Sequence, residues 1–193
     1  MSYSRRHFFS LHDLLTMAAL AALGGASSSA ISMVGKALST ASGIPGCMQF
    51  MAGIHVLWLV LAIGLIGRPG AATATGLLKG GVELLTGNQH GLLVVLYCVL
   101  AGLCVDAVWL LLGRRNHPIT LMLAGGLGAA SNIVLYNLAG SLPAHRGVHA
   151  VLVTMAGIAF LSGAVLAGLL GYWLLGALHR AGVIGARSTG RFT

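Results

Sequence analysis

Long apolar runs alternate with short polar breaks along this chain. The runs cover residues 11–33, 47–66, 71–86, 92–113, 119–139 and 148–178. A helix needs roughly 20 mostly apolar residues to cross a bilayer, and five of the runs reach that length. The third, 71–86, is short and carries Lys79 and Glu83. The breaks fall at 43–46 (Gly-Ile-Pro-Gly), 68–70 (Arg-Pro-Gly), 87–91 (Gly-Asn-Gln-His-Gly), 116–118 (Asn-His-Pro) and 142–144 (Leu-Pro-Ala). Glycine, proline and asparagine in such clusters punctuate helices. A membrane β-barrel would need short alternating segments, which are absent from the pattern. The pattern predicts an all-α integral membrane protein, a bundle of six transmembrane helices.

Composition agrees with this reading. Of 193 residues, 57% are hydrophobic and only 7% are charged. A soluble domain carries about 25% charged residues. An ordinary cytosolic enzyme, a disordered chain and a secreted disulfide scaffold are therefore excluded. Cys47, Cys98 and Cys104 show no metal-type spacing; Cys98 and Cys104 read as small buried hydrophobes.

The formal net charge of +8 reports topology. With six spans both termini share a side. That side holds Arg5, Arg6, Arg68, Arg114, Arg115, Arg180, Arg187 and Arg191, whereas Lys36 and Arg146 lie opposite. The positive-inside rule makes both termini cytoplasmic. The expected organisation is a cytoplasmic segment 1–10, a six-helix transmembrane domain 11–180 and a basic tail 181–193. Residues 4–9 (Ser-Arg-Arg-His-Phe-Phe) resemble a twin-arginine export signal, with 28–30 (Ser-Ser-Ala) as a cleavage site. Asp13 interrupts that apolar run, and cleavage would leave five helices. The two arginines are expected to be inner-leaflet anchors on a retained span.

Fixed orientation gives each polar residue a depth. Gln49 and His55, Glu83, then Asn132, Tyr136 and Asn137, and finally His149 and Thr154 fall near the outer ends of four spans. Lys79 is one turn deeper than Glu83, and Asn88, Gln89 and His90 form the adjoining outer loop. Charges within spans are costly and face a cavity or a partner. The grouping predicts a polar pocket open outward and sealed inward by Leu, Val and Ala, as suits capture of an external solute. Structural readings stand beside these. Lys79 and Glu83 are spaced to pair on one helix face; His55 could bond a neighbouring carbonyl; Asn132 could be interhelical glue. Asp106, near Arg68, Arg114 and Arg115, is expected in a structural pair, and Asp13 suits the positive end of the first helix dipole.

Small residues form a second pattern. Ala18, Ala22 and Ala26 recur every fourth position, with Ala21 and Gly25 beside them; Gly163, Ala167 and Gly171 do so in span six, with Ala164 and Gly168 beside them. Such faces serve either packing within a bundle or docking of another membrane protein.

Several kinds of chemistry are missing. There is no Walker A loop, no G-x-S-x-G and no H-E-x-x-H. Three carboxylates leave little for acid–base catalysis, so no enzyme and no cofactor is expected. Two alternatives to solute capture are a nickel, cobalt or zinc uptake subunit using His90, His145 and His149, and a structural or haem-bearing electron-transfer subunit. The latter lacks matched intramembrane histidine pairs.

Five stretches carry a family resemblance: 68–72 (Arg-Pro-Gly-Ala-Ala), 82–88 (Val-Glu-Leu-Leu-Thr-Gly-Asn), 102–108 with Asp106, 121–125 with Tyr136 beyond, and 161–171. Together, over about residues 50–185, they resemble the YkoE-type S components, the substrate-binding membrane subunits of energy-coupling factor (ECF) transporters. The resemblance implies a six-helix subunit of the cytoplasmic membrane. It would take thiamine, its hydroxymethylpyrimidine precursor or a related molecule from outside. A T component and ATP-binding cassette ATPases would be its partners, with toppling in the membrane to release the solute. It also implies docking of the T component on the face of Ala18, Ala22 and Ala26. The ligand site is expected to draw on Glu83, Lys79, His55, Asn88, His90, Asn132, Tyr136 and His149. Two positions depart from the family pattern. Lys79 stands where a small residue is expected, and Asn137 where the family can carry Asp. Both changes remove negative character and favour a neutral pyrimidine or an acidic solute over a thiazolium cation.

Overall fold

The computed structural model describes residues 9–43, 47–88, 91–138 and 148–182. They form α1 (Leu11–Ser42), a 3-10 turn (Cys47–Met51), α2 (Ala52–Ile66), α3 (Ala71–Leu85), α4 (Leu93–Leu111) and α5 (Pro118–Leu138). Then come α6 (Val148–Ser162), a π-helical segment (Gly163–Leu169) and α7 (Leu170–Arg180), which run on as one rod. No strand occurs among the described residues. Residues 1–8 and 183–193, hence the twin-arginine segment and most of the basic tail, lie outside them.

The helix ends follow from local chemistry. Ser10 caps α1 with a reciprocal box: Asp13 N donates to Ser10 Oγ at 3.2 Å, and Ser10 N donates to Asp13 Oδ2 at 2.9 Å. Asp13 also faces Arg68 Nε at 3.6 Å, which ties the start of α1 to the α2–α3 turn. That turn needs two left-handed residues, and glycine fills both: Gly67 at φ 60° and Gly70 at φ 85°. Pro118 opens α5, where a missing amide costs nothing.

Two elements differ from the expected spans. α1 continues to Ser42, well past residue 33. No proline interrupts 34–42, and Gly35 lets the helix lie on the 3-10 turn: a Cβ there would sit 3.1 Å from Met48 Cγ. At 1.5 Å per residue α1 is about 48 Å long, against about 30 Å of hydrocarbon. By contrast α3 has only 15 residues, about 22 Å. Five helices among the described residues are long and apolar enough to cross a membrane, and α3 is not one of them.

α2 runs through the middle of the bundle. It carries no fixed charge, and Val56, Leu59, Val60, Ala62 and Ile63 are all buried, as expected for a helix surrounded by others. Small residues bring backbones together around it. A Cβ on Gly80 of α3 would lie 2.8 Å from Val95 Cα of α4, and one on Gly163 would lie 2.7 Å from Ala129 Cβ of α5. The small face of span six (Gly163, Ala164, Ala167, Gly168, Gly171) is thus buried inside the bundle. In the middle of α1 two faces separate. Ala21, Gly24, Gly25 and Ser28 are buried, while Ala18, Ala22 and Ala26 are exposed.

Polar locks close the bundle at the α4–α5 turn. Buried Asn116 donates from Nδ2 to Gly64 O at 3.0 Å and accepts from Trp109 Nε1 at 3.2 Å. Asp106 has a different role from the arginine pairing expected of it. Its Oδ2 accepts from Thr73 N at 2.8 Å and Thr73 Oγ1 at 2.5 Å, and Oδ1 accepts from Ala72 N at 3.3 Å. The N-cap of α3 is Gly70, which has no side chain to offer, so Asp106 of α4 caps α3 from outside. At the other end Ser162 Oγ donates to Phe50 O at 2.6 Å and accepts from Gly53 N at 3.0 Å, stapling the start of α2 to the rod.

Candidate solute-binding cavity

At the end of the bundle where α1 finishes and α2 begins, the helices enclose a cavity of about 330 Å³. This volume lies at the lower edge of the range for small-molecule sites. Of the residues singled out from the sequence, His55, Lys79, Glu83, Asn88, Asn132 and Tyr136 line it. His149 is exposed on the first turn of α6 and does not line it. His90 lies outside the described residues. Asn137 and Thr154 are exposed as well, whereas Gln49 joins the lining.

Glu83 is the hub. Only 3% exposed, it forms an ion pair with Lys79, which is 1% exposed and one turn away on α3. Ser28 Oγ donates to Glu83 Oε1 at 2.5 Å, and Asn88 Nδ2 donates to Oε2 at 3.2 Å. Ser28 also lies 2.8 Å from Gly24 O and 3.2 Å from His55 Nδ1. A hydroxyl has one proton, and the carboxylate is its nearer acceptor. Nδ1 of His55 is then the donor to Ser28. On the far side Lys79 Nζ stands 3.8 Å from Cys98 Sγ. Packing of α1 on α3 makes this network possible: a Cβ on Gly24 would meet Trp58 at 2.8 Å and Lys79 Cδ at 3.1 Å.

Across the cavity Asn132 Oδ1 is buried and has no hydrogen-bond partner among the described residues. A buried acceptor left unpaired costs about 1–3 kcal/mol, which a ligand N–H or O–H would recover. The phenols of Tyr97 and Tyr136 add aromatic surface, and Met48, Met51 and Met155 supply adaptable apolar walls.

Sequence reasoning missed Ser28, Tyr97 and Cys98 as members of this site. Ser28 has a recoverable signal: it continues the Ala21, Gly24, Gly25 stripe of α1 by one more turn, and is the polar member of it. Tyr97 and Cys98 sit in the first half of α4, which reads as an apolar run with no charge. Cys98 is indeed buried, whereas Cys104 is half-buried.

Residues 12–131 match the family model for the ABC-type cobalt transport system, permease component. The chain belongs to that family. It is 30% identical over 139 residues to YkoE of Bacillus subtilis (strain 168), a permease protein named for HMP/thiamine; the match covers 72% of this chain and 69% of the relative. The crystal structure of an S component of an ECF transporter superposes with a TM-score of 0.81 at 26% identity, covering 91% of this chain and 88% of the other. The chain is thus a YkoE-type S component, a multi-pass membrane protein of a transport system, as the sequence resemblance implied. Among the described residues no group of three or more His, Cys, Asp or Glu side chains is placed to hold a metal ion.

Proposed function

We propose that this S component captures a small nitrogen heterocycle of the HMP/thiamine class from outside the cytoplasmic membrane. The observation that carries the reading is the hydrogen-bonding hub of Glu83 facing the unpartnered Asn132 Oδ1 in one aromatic-lined cavity. An aminopyrimidine offers amino N–H donors and ring-nitrogen acceptors on a flat ring, and it complements that set. The name of the YkoE relative supports the same class. In this reading Glu83, Lys79, Asn88, Asn132 and His55 hydrogen-bond the solute or hold one another in place, and Tyr136 stacks on it. His149, exposed on the outside of α6, stands apart from these contacts.

Orientation follows from the arginines. Both termini face the cytoplasm, the transmembrane substrate-binding domain covers 11–180, and the cavity lies toward the outer leaflet. The T component docks on the exposed Ala18, Ala22 and Ala26, where small side chains allow close helix contact. The ATP-binding cassette ATPases act on the cytoplasmic side, and this chain performs no catalysis.

Calorimetry on the purified full-length protein with hydroxymethylpyrimidine and with thiamine tests the assignment, alongside mass spectrometry of any co-purified solute. Glu83→Gln keeps the shape but gives up acceptor capacity, and weakens binding at least about tenfold, or 1.4 kcal/mol. Unchanged binding by this variant would remove Glu83 from the site.

A further inference from the structure

We propose that Lys79 sets the charge of the ligand. By neutralising Glu83 inside the cavity, it makes the site prefer an uncharged heterocycle to a cationic one. This inference rests on the capture function above and goes on to choose between the two solutes in its class: hydroxymethylpyrimidine is uncharged, whereas thiamine carries a permanent thiazolium charge.

Both partners are almost wholly buried. Either charge alone would be costly there, and in the salt bridge each offsets the other. A carboxylate has about four lone-pair sites. Lys79 and Ser28 occupy Oε1 and Asn88 occupies one site on Oε2. What remains can accept one N–H from a ligand, but the charge behind it is already balanced. A cation close enough to touch Glu83 also stands beside Lys79, and attraction and repulsion largely cancel.

No other group restores negative charge. Among the lining residues the remaining titratable groups are His55, Cys98, Tyr97 and Tyr136, and none is a carboxylate. Asp13 and Asp106 are engaged at the opposite end of the bundle. Lys79 has donors to spare, because its second neighbour, Cys98 Sγ at 3.8 Å, is a weak acceptor. A ring nitrogen can take such a donor, while an amino group meets Glu83 and the unpartnered Asn132 Oδ1.

The test compares two ligands on the same preparation of the full chain. Calorimetric affinities for hydroxymethylpyrimidine and thiamine are measured on wild type, Lys79→Gln and Lys79→Arg. Wild type binds the pyrimidine at least about tenfold more tightly, Lys79→Arg keeps that ratio, and Lys79→Gln moves it about tenfold toward thiamine, 1.4 kcal/mol on the ratio. A purely structural lysine would lower both affinities together and leave the ratio alone, and that outcome overturns the inference. The wild-type arm decides even if Lys79→Gln fails to fold. Thiamine binding as tightly as the pyrimidine would overturn this inference and leave the capture function standing, whereas binding of neither overturns both.

Discussion

Removing the carboxylate of Asp106 should destabilise the bundle without touching the cavity. In Asp106→Ala the Ala72 and Thr73 amides and the Thr73 hydroxyl lose their common acceptor, to which they donate at 3.3, 2.8 and 2.5 Å. Gly70 cannot replace it, and Ala72 is 0% exposed, so water cannot reach that amide. Hydrogen bonds to a charged group are worth about 1.5–3 kcal/mol each, and an orphaned buried donor costs about 1–3 kcal/mol. The terms overlap, and about 4 kcal/mol is a reasonable total. For a chain of this size that corresponds to a fall in Tm of about 8–16 °C. Intrinsic-fluorescence melting in detergent reads it directly. Asp106→Asn keeps one carbonyl acceptor and should lose about half as much. Arg68→Ala, which breaks the partly exposed contact to Asp13, should cost about 0–1 kcal/mol through that contact. If Asp106→Ala melted within about 1 °C of wild type, or if Arg68→Ala matched its loss, the capping account of Asp106 would be wrong.

Two further outcomes follow from other parts of the bundle. Asn116→Ala orphans both Gly64 O and Trp109 Nε1, and should lower stability by about 2–5 kcal/mol in the same melting assay, with ligand affinity preserved. Ala22→Trp places a large ring on the exposed face of α1; it should leave calorimetric binding intact while abolishing uptake in cells that also express a T component and ATPases.

The spans were legible because lipid imposes a length and excludes charge, so the boundaries of α2, α4 and α5 fall within a few residues of the apolar runs. α1 overran its expected end because nothing in residues 34–42 forbids a helix and the 3-10 turn gives it a surface. Lys79 and Glu83 stood out because charge within a span is rare. Their third partner did not: a serine in an Ala/Gly stripe looks like one more small residue until α3 is placed against it. Asp106 shows the complementary difficulty. Nearby arginines are visible in a sequence, but the free amides of a neighbouring helix are not. The two small-residue faces illustrate it again, since equal spacing gave one face buried against α5 and another exposed on α1.

The middle of α1 is confined to small side chains on two sides, inward by α3 and Trp58 and outward by its exposed alanines. Little room is left there for the leucines and isoleucines that drive a helix from the translocon into lipid. Its best window has a mean hydropathy of 1.6, against 2.4 for α4. The first of these helices to leave the ribosome is therefore among the most weakly retained by the bilayer alone. Its contacts with α2 and α3, which follow it along the chain, therefore add to the hold that the bilayer alone has on it.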